Sequence, residues 1–397
     1  MKNSLLYLML PLAALTAGGC ADSNEPSAGA PDRERLLITL NLTVDAPAPT
    51  RAGEVYSGTW GDDYTPAENG STFDCAIKDI YPVLYRVGAN GAASSAVARM
   101  ARTSSSLVKS SDGKAVYRID GVLEPVAGQI SDDALNVDYL TSHDFRIAVF
   151  ANHNPGATAL TLMNPGSFTA YGTPGQTIGS GDNATTFSGI PMWGVADVDF
   201  DGIRLGTSFM MGDIPLLRAM AQVRLTVSDE MWEEREVRLQ SLSINRLQPT
   251  GLILPRLDWT SIASISTLGV TDTPNAFSSA GALGEVTGYT VSAGTDASLR
   301  KTLTFYLPET ENSTTPAAAD ELVLTATYTV DGDDTPRTGS IYFRPYSETG
   351  VASAANQYHI IRNHIYEYTI IGVAASYTPE IQLSVRKWTY EERHTEL

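Results

Sequence analysis

Cysteine is almost absent from this chain: its 397 residues include two, Cys20 and Cys75. A disulfide-stapled fold is thereby excluded, and stability has to come from apolar cores. Positive charge is also short. Lys and Arg number 27 against 45 Asp and Glu, a formal net charge of −18. That balance disfavours nucleic acid and anionic lipid surfaces as partners, because both attract basic chains. Histidine is scarce at five residues, and only His359 and His364 lie close together. Read as one strand, HIIRNH puts side chains five residues apart on opposite faces, which argues against a shared metal. No GxSxG elbow, HExxH helix, phosphate-binding loop or dinucleotide fingerprint occurs. The DVDFDG run places Asp197, Asp199 and Asp201 at calcium-loop spacing, but the twelfth position, which needs a bidentate Glu, is Ser208. A solvated turn is the simpler reading. No enzyme, cofactor or metal site is expected.

Long apolar runs are lacking as well, except at the start. Lys2 is followed by an apolar stretch from Leu5 to Leu15, then by Ala17, Gly18 and Gly19. The stretch is too short to span a bilayer and reads as a secretory signal peptide over 1–19. Its small-small-Cys end resembles a lipobox, which makes Cys20 the expected site of lipid attachment. Residues 20–32 are small, polar and proline-containing, as a flexible tether would be. Anchoring by acyl chain fits an acidic protein better than anchoring by a basic patch. Cys75, set among apolar residues, is expected to pack as a small hydrophobe.

What is present is β-pattern. Leu36, Ile38, Leu40, Leu42 and Val44 alternate with Leu37, Thr39, Asn41 and Thr43, one apolar face at period two. Similar runs follow in AIKDIYPVLYRV, AVYRIDGVL, FRIAVFAN, QVRLTV, VRLQSLSINRL, LTFYLPE, ELVLTATYTV, SIYFRPY, HIIRNHIYEYTIIGV and EIQLSVRKW. Turn signals at Ser111-Asp112-Gly113 and Asp331-Gly332-Asp333-Asp334 separate several of them. Helical periodicity is confined to Ser131–Leu140 and Asp229–Glu236. Residues 154–190, rich in Gly, Ser, Thr, Asn and Pro, are predicted to be a long surface loop. The chain is thus expected to be all-β and built as sandwiches, with two domains by length, 33–212 and 213–397, divided near Gly212. Eighteen Tyr and five Trp could supply stacking platforms for sugars, although most rings in such folds sit in cores. That supports an alternative reading: a surface glycan-binding lipoprotein held permanently through Cys20.

Five segments together resemble the fimbrillin family, the subunits of the lipoprotein-derived pili of Bacteroidales. They are IPMWG at 190–194, LLRAMAQVRLTV at 216–227, FYLPE at 305–309, HIIRNHIYEYTIIGV at 359–373 and EIQLSVRKW at 380–388. The resemblance implies two tandem transthyretin-like (Greek-key) β-sandwich domains and a structural role in cell adhesion. It implies a lipidated outer-membrane precursor that becomes part of an extracellular fimbrium. It also implies cleavage by a trypsin-like, Arg-specific protease beyond the first strand, which matches Arg51 followed by Ala52. Loss of the strand Leu36, Ile38, Leu40, Leu42 and Val44 would open a groove for a strand of another pilus subunit. The candidate donor in this chain is the alternating Ile381, Leu383 and Val385, with Trp388 and Tyr390 continuing the apolar content on the other face. The charged EERHTEL that ends the chain is poorly suited to fill such a groove.

Overall fold

The structure, a computed structural model, describes residues 36–44, 76–88, 93–109, 115–155, 167–178, 185–253, 287–293, 301–313, 318–347, 349–353 and 357–387. Cys20, Arg51, Ala52, Cys75, the Ser111–Gly113 turn, Trp388 and Tyr390 lie outside these residues, as do the signal peptide and tether. The strands in chain order are β1 (Leu37–Val44), β2 (Ile80–Val87), β3 (Ala93–Lys109), β4 (Ala115–Pro125), β5 (Phe145–Ala151), β6 (Ser167–Thr169), β7 (Thr177–Ile178), β8 (Thr185–Thr186), β9 (Met192–Val198) and β10 (Phe209–Arg218). They continue with β11 (Met220–Val227), β12 (Arg238–Leu247), β13 (Thr250–Leu252), β14 (Thr287–Ser292), β15 (Thr302–Pro308), β16 (Val323–Val330), β17 (Asp333–Tyr342), β18 (His364–Val373) and β19 (Pro379–Lys387). Two short helices, α1 (Val137–Thr141) and α2 (Asp229–Glu234), fall in the two regions of helical periodicity. Ser228 caps α2 by accepting from the Met231 N–H, and Asp229 and Glu230 suit the positive end of the helix. The fold is all-β.

Seven of the first ten strands close into a ring in the order β1-β10-β9-β5-β2-β3-β4, whereas the sequence led to two stacked sheets here. Closure arises because β1 is hydrogen-bonded on both edges, antiparallel to β4 and parallel to β10. The ring has one weak seam. β10 and β9 share only the pairs Leu217↔Trp193 and Arg218↔Met192, where β5 and β9 share a full run from Phe145↔Val198 to Ala151↔Met192. Later strands form two four-stranded sheets, β15-β11-β18-β19 and β14-β12-β16-β17, which enclose a separate buried cluster. The Asp331-Gly332 turn joins β16 to β17 with both residues at positive φ (55° and 71°), the geometry of a two-residue hairpin turn.

Packing changes from one buried cluster to the other across Ala219–Ala221. Gly212 itself lies inside β10. There β10 advances three residues, Met210 to Asp213, while β1 advances two, Thr39 to Asn41. Gly212, at φ +94°, forms this β-bulge, a conformation that costs a residue without a Cβ little.

Two expectations need correction. The segment 154–190 is not simply a surface loop, because its described parts clamp the ring to the sandwich. β6 pairs with β13, Gly172 and Tyr306 exchange backbone hydrogen bonds of 2.7 and 2.9 Å, and Phe168, Ala170, Ile178 and Phe187 are buried. These strands of two or three residues are too short to leave a periodic signal. HIIRNH is likewise not one strand. Arg362 and Asn363 make a turn, Asn363 at φ 55°, and β18 begins only at His364. Asn tolerates that left-handed backbone, and the turn re-aims the chain.

Candidate functional site

The slot that β1 occupies is the most constrained feature of the ring. Its alternation does what the sequence requires: Leu36 and Ile38 are at most 5% exposed, and Leu40, Leu42 and Val44 are fully buried. The walls meet it in register. On β4, Ile119 lies opposite Leu40 and Tyr117 opposite Leu42; on β10, Ile214 lies opposite Leu42 and Leu216 opposite Val44. Burial of five apolar side chains at ~2 kcal/mol each gives an upper bound on the order of 10 kcal/mol for the occupied slot. Gly121 faces Ile38 from β4. A Cβ there would lie 2.5 Å from the Ala101 carbonyl oxygen, so the close approach of β3 to β4 requires glycine.

The outward face of β1 is also bonded. Thr39 Oγ1 donates to Asp120 Oδ1 on β4 at 2.6 Å and lies 2.6 Å from the Ser208 hydroxyl, which precedes β10. Asn41 Nδ2 donates to Asp213 Oδ1 on β10 at 2.9 Å. Thr39 is 1% exposed despite facing outward. Thus one carboxylate from each wall reads a polar side chain of β1. Sequence patterning found the inward residues but missed Asp120, Ser208 and Asp213, since only the ring's topology brings them beside β1.

The seam beside this slot depends on Gly194. A Cβ there would come 2.4 Å from the Pro215 carbonyl oxygen and 2.9 Å from Ile214 and Leu216 side-chain carbons. Gly194→Ala is expected to destabilise the chain by about 1–3 kcal/mol through overpacking against backbone, read as a lower urea midpoint.

The C-terminal candidate strand takes a different place. β19 is an edge strand paired antiparallel with β18 from His364↔Lys387 to Val373↔Pro379. Ile381 is buried in the sandwich core, Leu383 is partly buried against it, and Gln382 and Ser384 are exposed. Val385 is opposite Tyr366 in the ladder.

The residues weighed as metal ligands are engaged otherwise. Asp199 Oδ1 accepts the Asp201 N–H at 2.9 Å in a turn completed by Gly202 at φ +82°, and Asp197 pairs with Arg146 at 3.2 Å. His359 Nδ1 accepts the Asn312 N–H at 3.0 Å, while His364 Nδ1 pairs with the Arg362 carbonyl at 2.8 Å. Among the described residues no group of three His, Cys, Asp or Glu side chains could hold a metal ion. Of the described aromatic side chains only Tyr377 is substantially exposed, and Arg337 stacks on its ring.

Burial lowers the pKa of His359, with Glu311 opposing, and burial likewise lowers that of His153. Both are held neutral in the folded chain, so the unfolded chain binds their protons first. Stability is therefore expected to be full above about pH 6.5 and to fall as the pH drops below it. Urea midpoints measured between pH 7.5 and 5 check this, and His359→Gln should flatten part of the slope.

No protein-family profile and no curated protein matches the sequence. Solved structures are similar to it at low identity. The tip fimbrial protein Mfa3 from Porphyromonas gingivalis, in a C-terminally truncated form, is 12% identical over 89% of this chain and 100% of its own, with a TM-score of 0.43. A candidate cell adhesion protein from Bacteroides eggerthii is 16% identical over 90% of this chain and 98% of its own, with a TM-score of 0.38. A candidate polysaccharide-binding protein from Bacteroides thetaiotaomicron is 10% identical over 88% and 98%, with a TM-score of 0.31.

Proposed function

We propose that this chain is a fimbrillin-like structural subunit of a surface fibre, at its tip or in its stalk, joined to its neighbours by exchange of β1. One observation carries the reading: β1 completes a closed ring through both edges and five buried side chains, yet it lies near the start of the chain, with Arg51 seven residues beyond its end. A strand so placed is removable by a single cut and costly to leave unreplaced. Arg33 and Arg35 precede β1, so of these arginines only Arg51 puts it on the released side.

In this reading the two packing units are tandem transthyretin-like domains that meet near residue 219. Cys20 carries the lipid that holds the precursor at the outer membrane, and an Arg-specific protease cuts between Arg51 and Ala52. Lipid, tether and β1 then leave together, and a strand of another subunit fills the slot by β-augmentation. β19, already an edge strand, is the candidate donor toward other subunits through Ile381, Leu383 and Val385.

The test uses the chain from residue 21 onward. Limited digestion with an Arg-specific protease should give a new N-terminus at Ala52. A labelled peptide of residues 36–45, in excess, should then enter the cut chain and not the uncut one. A chain that resists cutting at Arg51, or a cut chain that takes up no peptide, would contradict the proposal.

A further inference from the structure

The β1 slot is selective on its polar side as well as its apolar side, and this bears on which strand can fill it. This selectivity presupposes the strand exchange proposed for this chain. Position 39 is fully enclosed, with the Asp120 carboxylate 2.6 Å from the Thr39 hydroxyl and Ser208 equally close. Asp120 is also approached by Arg118 Nε at 3.4 Å. Position 41 faces Asp213. A replacement strand running in the direction of β1 therefore meets four constraints. It needs small or branched apolar groups at the inward positions. It needs a short hydroxyl donor opposite Asp120. It needs an amide or cationic donor opposite Asp213. It must present no acid at either polar position, because like charges brought together at an interface penalise binding.

The chain's own C-terminal strand fails this pattern in every register that seats its three apolar residues inward. With Ile381 in the place of Leu40, Glu380 falls at position 39, against Asp120, and Pro379 replaces Ile38. With Ile381 in the place of Ile38, Lys387 takes the place of Val44; with Ile381 in the place of Leu36, Lys387 takes that of Leu42. Val44 and Leu42 are both fully buried, so either register drives an ammonium into the core. Ile381 is moreover only 1% exposed in its own sandwich, and extracting it would uncover that core.

We infer that the slot selects, from another subunit, a strand with four or five alternating apolar residues, Ser or Thr opposite Asp120, and an amide or cation opposite Asp213. Strand β19 of a second copy does not meet that pattern in the direction of β1, and Asp120 and Asp213 are the specificity determinants of the slot.

The test mixes the chain, cut after Arg51, with three labelled peptides: residues 36–45, the same peptide carrying Thr39→Glu, and residues 377–390. Uptake is read by native mass spectrometry and fluorescence anisotropy. The unaltered β1 peptide should enter, and the other two should bind at least about tenfold more weakly, a difference of 1.4 kcal/mol. In a chain bearing Asp120→Asn the penalty of the Thr39→Glu peptide should shrink, which a general packing defect would not produce. Equal uptake of the Thr39→Glu peptide, or a penalty unchanged by Asp120→Asn, overturns the polar selection. Equal uptake of the 377–390 peptide overturns the rejection of β19 as the strand that fills the slot. Failure of even the unaltered β1 peptide to enter defeats strand exchange itself, and this inference with it.

Discussion

A chain lacking residues 36–44 is expected to lose the unfolding transition of its ring while keeping that of its sandwich. The deleted strand contributes an upper bound on the order of 10 kcal/mol of apolar burial, comparable with the whole stability of an ordinary domain, about 5–15 kcal/mol. Deletion also strips hydrogen-bond partners from β4, between Ala115 and Val122, and from β10, between Phe209 and Leu216. Exposed edges of that kind aggregate. The sandwich has its own buried cluster, which runs from Ala221 to Ile381 and contains no residue of β1. Differential scanning calorimetry should therefore show one transition in place of two, and a peptide of residues 36–45 added during refolding should restore the other. A milder variant probes the same physics: Leu40→Ala should cost about 2–5 kcal/mol.

Arg362→Ala is expected to have the next largest effect, because this side chain ties the sandwich together near its junction with the ring. Arg362 is 2% exposed. It donates from Nη1 to the Ile253 carbonyl at 2.8 Å, and from Nη2 to the Leu252 carbonyl at 3.0 Å and Glu309 Oε2 at 2.6 Å. Leu252 belongs to β13, whose partner β6 comes from the ring side. The next residue, Asn363, donates its N–H to the Met220 carbonyl at 2.8 Å, and Arg218 Nη1 donates to its Oδ1 at 3.4 Å. Truncation leaves a half-buried carboxylate and two carbonyls without this donor, a loss on the order of 3 kcal/mol. Arg362→Lys should recover only part, since an ammonium cannot span the same fork of acceptors. Denaturant midpoints of the three proteins, measured side by side, give the comparison.

Most strands were legible because their alternation is strong and local. β1, β11, β12, β16 and the helical segment beginning at Asp229 each carry their own signal. What escaped was set by contacts distant in sequence. Ring closure depends on β1 meeting β10, about 170 residues later, and on a bulge at Gly212 that sequence patterning read as a boundary. The clamp around Gly172 depends on Tyr306, and Phe168 lies opposite Gly251. The candidate site divides along the same line. Its inward residues follow from period two, whereas Asp120, Ser208 and Asp213 become neighbours of β1 only through topology.

If strand exchange joins this chain to another, β1 has to leave its slot first, and locking β1 covalently in place should block the exchange. Asn41 on β1 and Arg118 on β4 are Cα partners in the antiparallel ladder, so cysteines at both, in a Cys75→Ser chain beginning at residue 21, can bridge the two strands. After cutting at Arg51, the oxidised protein should take up no β1 peptide and no partner strand, and uptake should return on adding a reductant. Equal uptake by the oxidised and reduced proteins would show that β1 need not leave its slot.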